Sequence, residues 1–395
     1  MSSYFLFICV LGIGLLALAL HYEKNKVGPL WIVFFTWQIP ITISQNTNLL
    51  LNKEWNNITF YAAVSVIMGF ICGYFVSETI LLYGRSSRTI KPVNLNKIRF
   101  HYFVIMAVTI SSIVYLYFGK LGGPPIFSED VSSARTALLK LNPVLFSLTQ
   151  LCNIGGSIFG ILLIMKRVRK IEALMWCFLL ILLLFSAWRN IVLTFLVFSF
   201  VPLIFSGRVR LKNIILFGVS FLILFSLIGF LRGDQGDISG FSFKSAYDLI
   251  LLYMYPNFIN FETIQKVQIE DFHLYSLQFI LKPLLILFGA NVSPPQTSMG
   301  AFNVSTGLSP LYLDGGVTYV FIVFVMVGST MSLLSRLNNY SVVIQFMRSC
   351  LVCTLVFLHN GWFLLNFMFS YSLIFYFLVS FGYIIVTYQK KEGRV

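Results

Sequence analysis

Apolar stretches long enough to cross a bilayer recur along this chain, and Lys and Arg collect in every second gap between them. A membrane helix needs about 20 apolar residues to span the hydrocarbon, and stretches near that length lie at 3–21, 29–46, 58–83, 100–119, 143–165, 171–187, 189–206, 214–232, 315–335, 341–358 and 363–387. Charged residues make up only 11% of the 395 positions and hydrophobic residues 58%, against roughly a quarter charged in a soluble domain. In lipid every backbone amide and carbonyl must be paired internally, and segments of this length do that as helices. The expected fold is therefore an all-α polytopic integral membrane protein of about eleven transmembrane helices, with 1–395 forming a single transmembrane domain.

The basic residues give the expected sidedness. Eighteen of the 28 Lys and Arg residues fall in 22–28, 85–99, 166–170, 207–213, 336–340 and the tail from Gln389 to Val395. Short loops rich in Lys and Arg stay in the cytoplasm, so the N-terminus is expected outside and the C-terminus inside. The formal net charge of +14 then reflects topology and contacts with membrane lipids, and no nucleic-acid partner is expected. The stretch Tyr4 to Leu20 looks like a secretory signal, but its basic residues, Lys24 and Lys26, follow it; a signal carries them in front. It reads as a retained first helix.

Residues 171 to 206 form one long apolar run interrupted by Ser186-Ala187-Trp188-Arg189-Asn190. A single helix of that length would overshoot the bilayer, so two spans with a tight turn at Arg189 are expected. Two outer loops stand out. The first, 120–142, opens with the Gly/Pro cluster Leu121-Gly122-Gly123-Pro124-Pro125-Ile126-Phe127-Ser128, which must end the preceding helix. The second, 233–314, contains Tyr253-Met254-Tyr255-Pro256 and the apolar piece Leu277 to Leu287. Pieces too short to span are expected to be interfacial or re-entrant helices walling a cavity.

Ionisable groups near a bilayer are costly and mark function when they occur. The outer loops supply Arg135, Arg189, Arg232, His273 and Asp314 among others. Guanidinium groups grip phosphate oxygens bidentately and stay charged, so arginines converging outside would suit a diphosphate or another anionic headgroup. Each arginine has a plainer alternative as an interfacial anchor or loop ion pair. His273 could act as a general base or be an ordinary loop histidine, and Asp314 could act chemically or simply cap a helix. No HExxH, DxD, clustered His/Cys spacing or P-loop occurs in the outer loops, so neither metal, cofactor nor nucleotide hydrolysis is expected. The six cysteines, including Cys350 and Cys353, fall in apolar stretches and read as packing residues.

Three pieces resemble the Wzy-type O-antigen polymerases, the oligosaccharide repeat-unit polymerases of bacterial surface-polysaccharide pathways. Gly122-Gly123-Pro124-Pro125-Ile126-Phe127-Ser128 followed by Arg135 resembles the Gly-x-Pro-x-Phe-Ser and downstream Arg of that family's first large outer loop. Trp188-Arg189-Asn190 resembles its Arg-bearing turn, and Ser305 to Gly316, ending Leu311-Tyr312-Leu313-Asp314-Gly315-Gly316, resembles its Asp-Gly segment before a late helix. The resemblance implies a GT-C-like polymerase/ligase architecture and a multi-pass protein of the bacterial inner membrane. It further implies polymerisation of undecaprenyl-diphosphate-linked oligosaccharide units at the periplasmic face, with no cofactor. A chain-length regulator and a flippase of the same pathway would be partners.

On that reading Arg135 and Arg189 stabilise the leaving diphosphate, and Asp314 or His273 deprotonates the acceptor hydroxyl. Arg232, Gly123, Pro125, Ser128 and Tyr255 would line the substrate. A lipid-linked oligosaccharide flippase, an O-antigen ligase and a membrane scaffold are the competing readings. A flippase should carry cations inside the spans of both halves and have short loops, unlike the long outer segment here.

Overall fold

The computed structural model describes residues 3–24, 26–45, 55–83, 94–131, 133–134, 137, 148–186, 188–207, 209–210, 212–213, 216, 218, 223, 258, 260–266, 275–277, 306–337, 339–358 and 367–391. The helices among them are α1 (Ser3–Tyr22), α2 (Pro29–Val33), α3 (Ile39–Gln45), α4 (Asn57–Tyr83), α5 (Leu95–Val114), α6 (Cys152–Ile164), α7 (Lys170–Phe185), α8 (Arg189–Phe205), α9 (Leu308–Ser335), α10 (Val342–Phe357) and α11 (Phe367–Lys391). The protein is a helical membrane protein. Four stretches among the described residues, Tyr4–Tyr22, Asn57–Ile80, Leu95–Phe127 and Leu308–Ser335, are long and apolar enough to cross a bilayer; the other apolar helices are shorter. The expected segment 214–232 lies almost wholly outside the described residues.

Local chemistry sets the helix breaks. The π-helical turn Phe34–Gln38 joins α2 to α3 just ahead of Pro40, which has no N–H to continue the i→i−4 ladder. A second π stretch, Tyr115–Leu121, extends α5 and stops at Gly122, whose φ of 77° is left-handed. The long run 171–206 is split as its polar interruption predicts, α7 ending at Phe185 and α8 starting at Arg189. Gly315 and Gly316 break α9 into two helical parts, Gly316 adopting φ 66° and ψ −160°, a conformation reserved for glycine. The expected span 315–335 therefore begins about two helical turns upstream, at Leu308.

Small residues seat the central helix pairs. Gly69 and Gly73 of α4 face α9, and a Cβ on Gly73 would lie 2.0 Å from the Val325 carbonyl oxygen. A Cβ on Gly328 would likewise lie 2.3 Å from the Phe70 carbonyl oxygen. At this close approach the Ser77 hydroxyl donates to Ser329 O and the Ser329 hydroxyl to Gly73 O, both at 3.0 Å. Gly156 and Gly160 of α6 press in the same way on Ser199 of α8. Between membrane helices the hydrophobic drive is weak, so backbone proximity and interhelical hydrogen bonds hold the pair.

Contacts sort the helix ends into two groups. At one, the loop end, Tyr4 bonds to Asn57, the Tyr117 hydroxyl to Leu182 O, Ser372 to Gln150 O and the Gly307 N–H to Leu358 O. At the other, the basic end, Lys26 pairs with Arg210 through a backbone bridge, Arg99 with Glu172 at 2.8 Å and Arg336 with Glu78. From α4 to α8, and again from α9 to α11, successive helices thus run in alternate directions.

Candidate functional site

The expected site residues that are described lie at the loop end, where the three distinctive segments are each built as a fixed turn. The first starts at Gly122: its left-handed backbone turns the chain, and the Gly123 N–H closes on Tyr117 O at 2.9 Å. Pro124 is extended and leads into a 3-10 turn at Pro125–Phe127, with Pro125 buried. Phe127 is exposed but rests on Phe185 at the end of α7, ring centroids 5.2 Å apart. The Gly/Pro turn is thereby docked on the helix that ends three residues before the Arg189 turn.

Ser128 is exposed, its hydroxyl directed to the Asp130 carbonyl at 3.3 Å. Asp130 then accepts the Ser133 N–H at 2.9 Å and its hydroxyl at 2.6 Å. A carboxylate in this position starts a helical turn by pairing amides that have no partner of their own. Sequence reasoning passed over Asp130, although Asp two or three residues ahead of a helical turn is a recognisable start signal. Arg135 follows directly on that turn and lies outside the described residues.

Arg189 is the first residue of α8, preceded by an extended Trp188 whose N–H is held by the Ser186 hydroxyl at 3.1 Å. This is the tight turn expected between the two apolar halves of 171–206.

The third segment gives Asp314 a definite role. Its carboxylate is 4% exposed and accepts the Tyr275 N–H at Oδ1 and the Ser276 N–H, 2.8 Å away, at Oδ2. Asp314 therefore caps a turn, but one lying 38 and 39 positions upstream instead of in its own helix. Ser276 also lies 3.3 Å from the Tyr319 hydroxyl, one turn beyond the break. Gly315 is needed here as well, since a Cβ would sit 2.9 Å from Tyr319 Cβ. The Tyr275 phenol is pushed above its ordinary range by burial and by the Asp314 charge. Both carboxylate oxygens being engaged, Asp314 is arranged to position the 3-10 turn Tyr275–Leu277 beside the break in α9, two residues beyond His273 in the chain.

A further part of the long outer segment is folded into the bundle. Phe258 and Phe261 are fully buried, against Trp55 at 4.4 Å and Tyr312 at 5.4 Å respectively. Glu262 accepts the Asn56 N–H at 2.9 Å, and Asn56 and Gln265 pair side chain to side chain at 2.7 Å. These contacts tie Phe258 and residues 260–266 to the start of α4 and the first part of α9. Sequence reasoning missed Glu262 as an anchor because its partner is 206 positions away.

Gly123, Pro125 and Ser128 thus stand next to the Arg189 turn, and Asp314 stands with Tyr275 and Ser276. Arg135, Arg232, Tyr255 and His273 lie outside the described residues, as does most of the Leu277 to Leu287 piece. Among the described residues no group of three or more His, Cys, Asp or Glu could hold a metal ion. No protein-family model, no curated protein and no solved structure matches this chain.

Proposed function

We propose that this chain is a glycosyltransferase that polymerises undecaprenyl-diphosphate-linked oligosaccharide units at the periplasmic face of a bacterial inner membrane. The observation that carries the reading is spatial: the Gly/Pro turn, the Arg189 turn and the Asp-Gly-Gly break all lie at the end of the bundle opposite the basic loops. In this reading the chain has eleven spans in a GT-C-like arrangement, its N-terminus periplasmic and its C-terminus cytoplasmic. The glycosyl-diphosphate bond supplies the driving energy, so the protein must stabilise a leaving diphosphate and take a proton from the acceptor hydroxyl. Arg135 and Arg189 serve the diphosphate, with Arg232 and Tyr255 nearby on the substrate.

The two amide contacts to Asp314 support a positioning role for it. Its carboxylate holds the Tyr275 turn at the helix break, and His273, just upstream, is the base. A discontinuous helix at an outward site is the form in which membrane proteins place non-helical backbone where it lines a polar cavity.

The test is genetic and chemical. A strain lacking the protein should make lipopolysaccharide capped by one repeat unit. Absence of any unit would instead indicate a flippase, and long chains held on the lipid carrier a ligase. Arg135→Lys and Arg189→Lys should keep protein level yet lose polymerisation about a hundredfold or more, the effect of losing a transition-state donor worth about 2.7–4 kcal/mol. A lysine cannot reproduce two parallel hydrogen bonds. Arg88→Lys, in a loop that uses only its charge, should be silent. Full-length glycan ladders from both loop-end variants at normal expression would overturn the assignment.

A further inference from the structure

The described carboxylates at the basic end already have partners. Glu172 accepts from Arg99 at 2.8 Å and from the Arg169 N–H at 2.7 Å, Glu78 holds Arg336 and the Ser332 hydroxyl, and Glu23 takes the N–H groups of Gly28, Leu30 and Trp31. Of the exposed cations there that pair with no described carboxylate, which include Lys166, Arg167, Arg169 and Lys170, Lys26 and Arg210 are the pair that a backbone bridge joins. They are directly paired by an isolated antiparallel backbone bridge, both are exposed, and among the described residues no carboxylate reaches either side chain. Lys24 and Lys212, also exposed, lie two residues away on the same side of the bridge. The Lys26 stem is laid over Gly207, where a Cβ would meet its Cδ at 3.6 Å, and Gly207 itself turns the chain with φ 67°.

Like charges directly opposite each other on paired strands repel, and a lone bridge has no neighbouring ladder to hold it against that repulsion. The closest acid in sequence, Glu23, is turned away to the amides of α2. A bound anion would convert the repulsion into attraction on both sides. The position favours a lipid as its source: α1 carries an exposed apolar stripe through Val10, Ile13 and Leu20 (61%, 68% and 51% exposed) that ends shortly before this turn. Such a stripe accepts acyl chains, whose headgroup then lies at the level of the basic loop that follows α1.

We infer that the Lys26–Arg210 bridge is a binding site for the phosphate of an anionic phospholipid whose acyl chains lie along α1. The site is at the opposite end from the proposed glycan chemistry and does not depend on it. Each basic residue near a membrane surface contributes enough that removing two should weaken binding about thirtyfold.

The experiment is lipid titration of the full-length protein in detergent, read by native mass spectrometry, with phosphatidylglycerol and phosphatidylcholine as probes. The Lys26→Gln/Arg210→Gln variant should lose about thirtyfold in phosphatidylglycerol affinity and nothing in phosphatidylcholine affinity, while Lys170→Gln, at an exposed cation that starts α7 at the same end, should bind as the parent does. Arg210→Lys should restore binding to within a few-fold, since a phosphate needs charge here and the backbone bridge is kept; this separates charge loss from misfolding, which circular dichroism and size-exclusion profiles also report. Unchanged phosphatidylglycerol affinity in the double variant, or an equal loss in Lys170→Gln, overturns the site. Displacement of the lipid by millimolar inorganic phosphate, with phosphate binding dependent on the same two residues, overturns the lipid assignment in favour of a soluble anion.

Discussion

The two ends of the bundle use charge differently. At the basic end a buried cation and a carboxylate both serve helix termini: Arg348 donates to Leu334 O, Leu337 O and Asn339 Oδ1, closing the end of α9, and Glu23 closes the start of α2. Both ion pairs between described residues are also there. At the loop end carboxylates bind the amides of distant segments, Asp314 those of Tyr275 and Ser276 and Glu262 that of Asn56. Helix termini leave amides and carbonyls without partners, and an ionised side chain satisfies them with stronger hydrogen bonds than a neutral one. The basic end thus closes helix termini and ties helix to helix through Arg99–Glu172 and Arg336–Glu78, whereas the loop end fastens the long outer segment onto the bundle.

The sharpest way to break this contrast is to remove Arg348. Its guanidinium is fully buried, faces carbonyls instead of carboxylates, and stacks over the Phe205 ring at 5.0 Å. Arg348→Met fills the space but leaves those carbonyls unpaired, and should destabilise the protein by about 3 kcal/mol, read from the unfolding midpoint in mixed micelles. An unchanged midpoint would show that the end of α9 needs no such cap.

At the loop end the corresponding change is Asp314→Ala, expected to cost about 2 kcal/mol and to speed hydrogen exchange at Tyr275–Leu277 selectively. Asp314→Asn keeps an oxygen for one amide and should retain most of the glycan ladder. Loss of the whole ladder in a well-folded Asn variant would mean that Asp314 acts on the substrate and not on the backbone.

The smallest effect concerns Glu23. Burial pushes its carboxyl up from the ordinary 4.5 to about 7, against the lowering influence of the three amides. Between those values the folded protein holds a proton that the unfolded chain releases, so this group's contribution to stability is full below 4.5 and is lost as pH rises towards 7. Glu23→Gln should flatten that slope in unfolding curves measured at intervals across the window. A parent protein with no slope that Gln removes would place the group's ionisation elsewhere.

Much of the helix pattern was legible because it depends on near neighbours. Apolar length, the alternation of basic loops, the stop at Gly122 and the turn before Arg189 all follow from composition over a few residues, and the helices fall where those signals lie. The break in α9 was half legible: Gly315-Gly316 marked a boundary, but the apolar run hid the helical turns from Leu308 before it. Asp314 read as a cap or as a base, with nothing in its own neighbourhood to choose between them.

By itself the sequence determined that this chain is helical and belongs in a membrane, because hydrophobic length and charge bias are properties of each segment taken alone. Only the tertiary structure decided which helices lie backbone to backbone through Gly73 and Gly328, that Asp314 belongs to the turn at Tyr275, and that Lys26 faces Arg210. Those pairings join residues 39 to 258 positions apart, and their energies exist only once packing has brought the partners together; no local pattern along the chain encodes them.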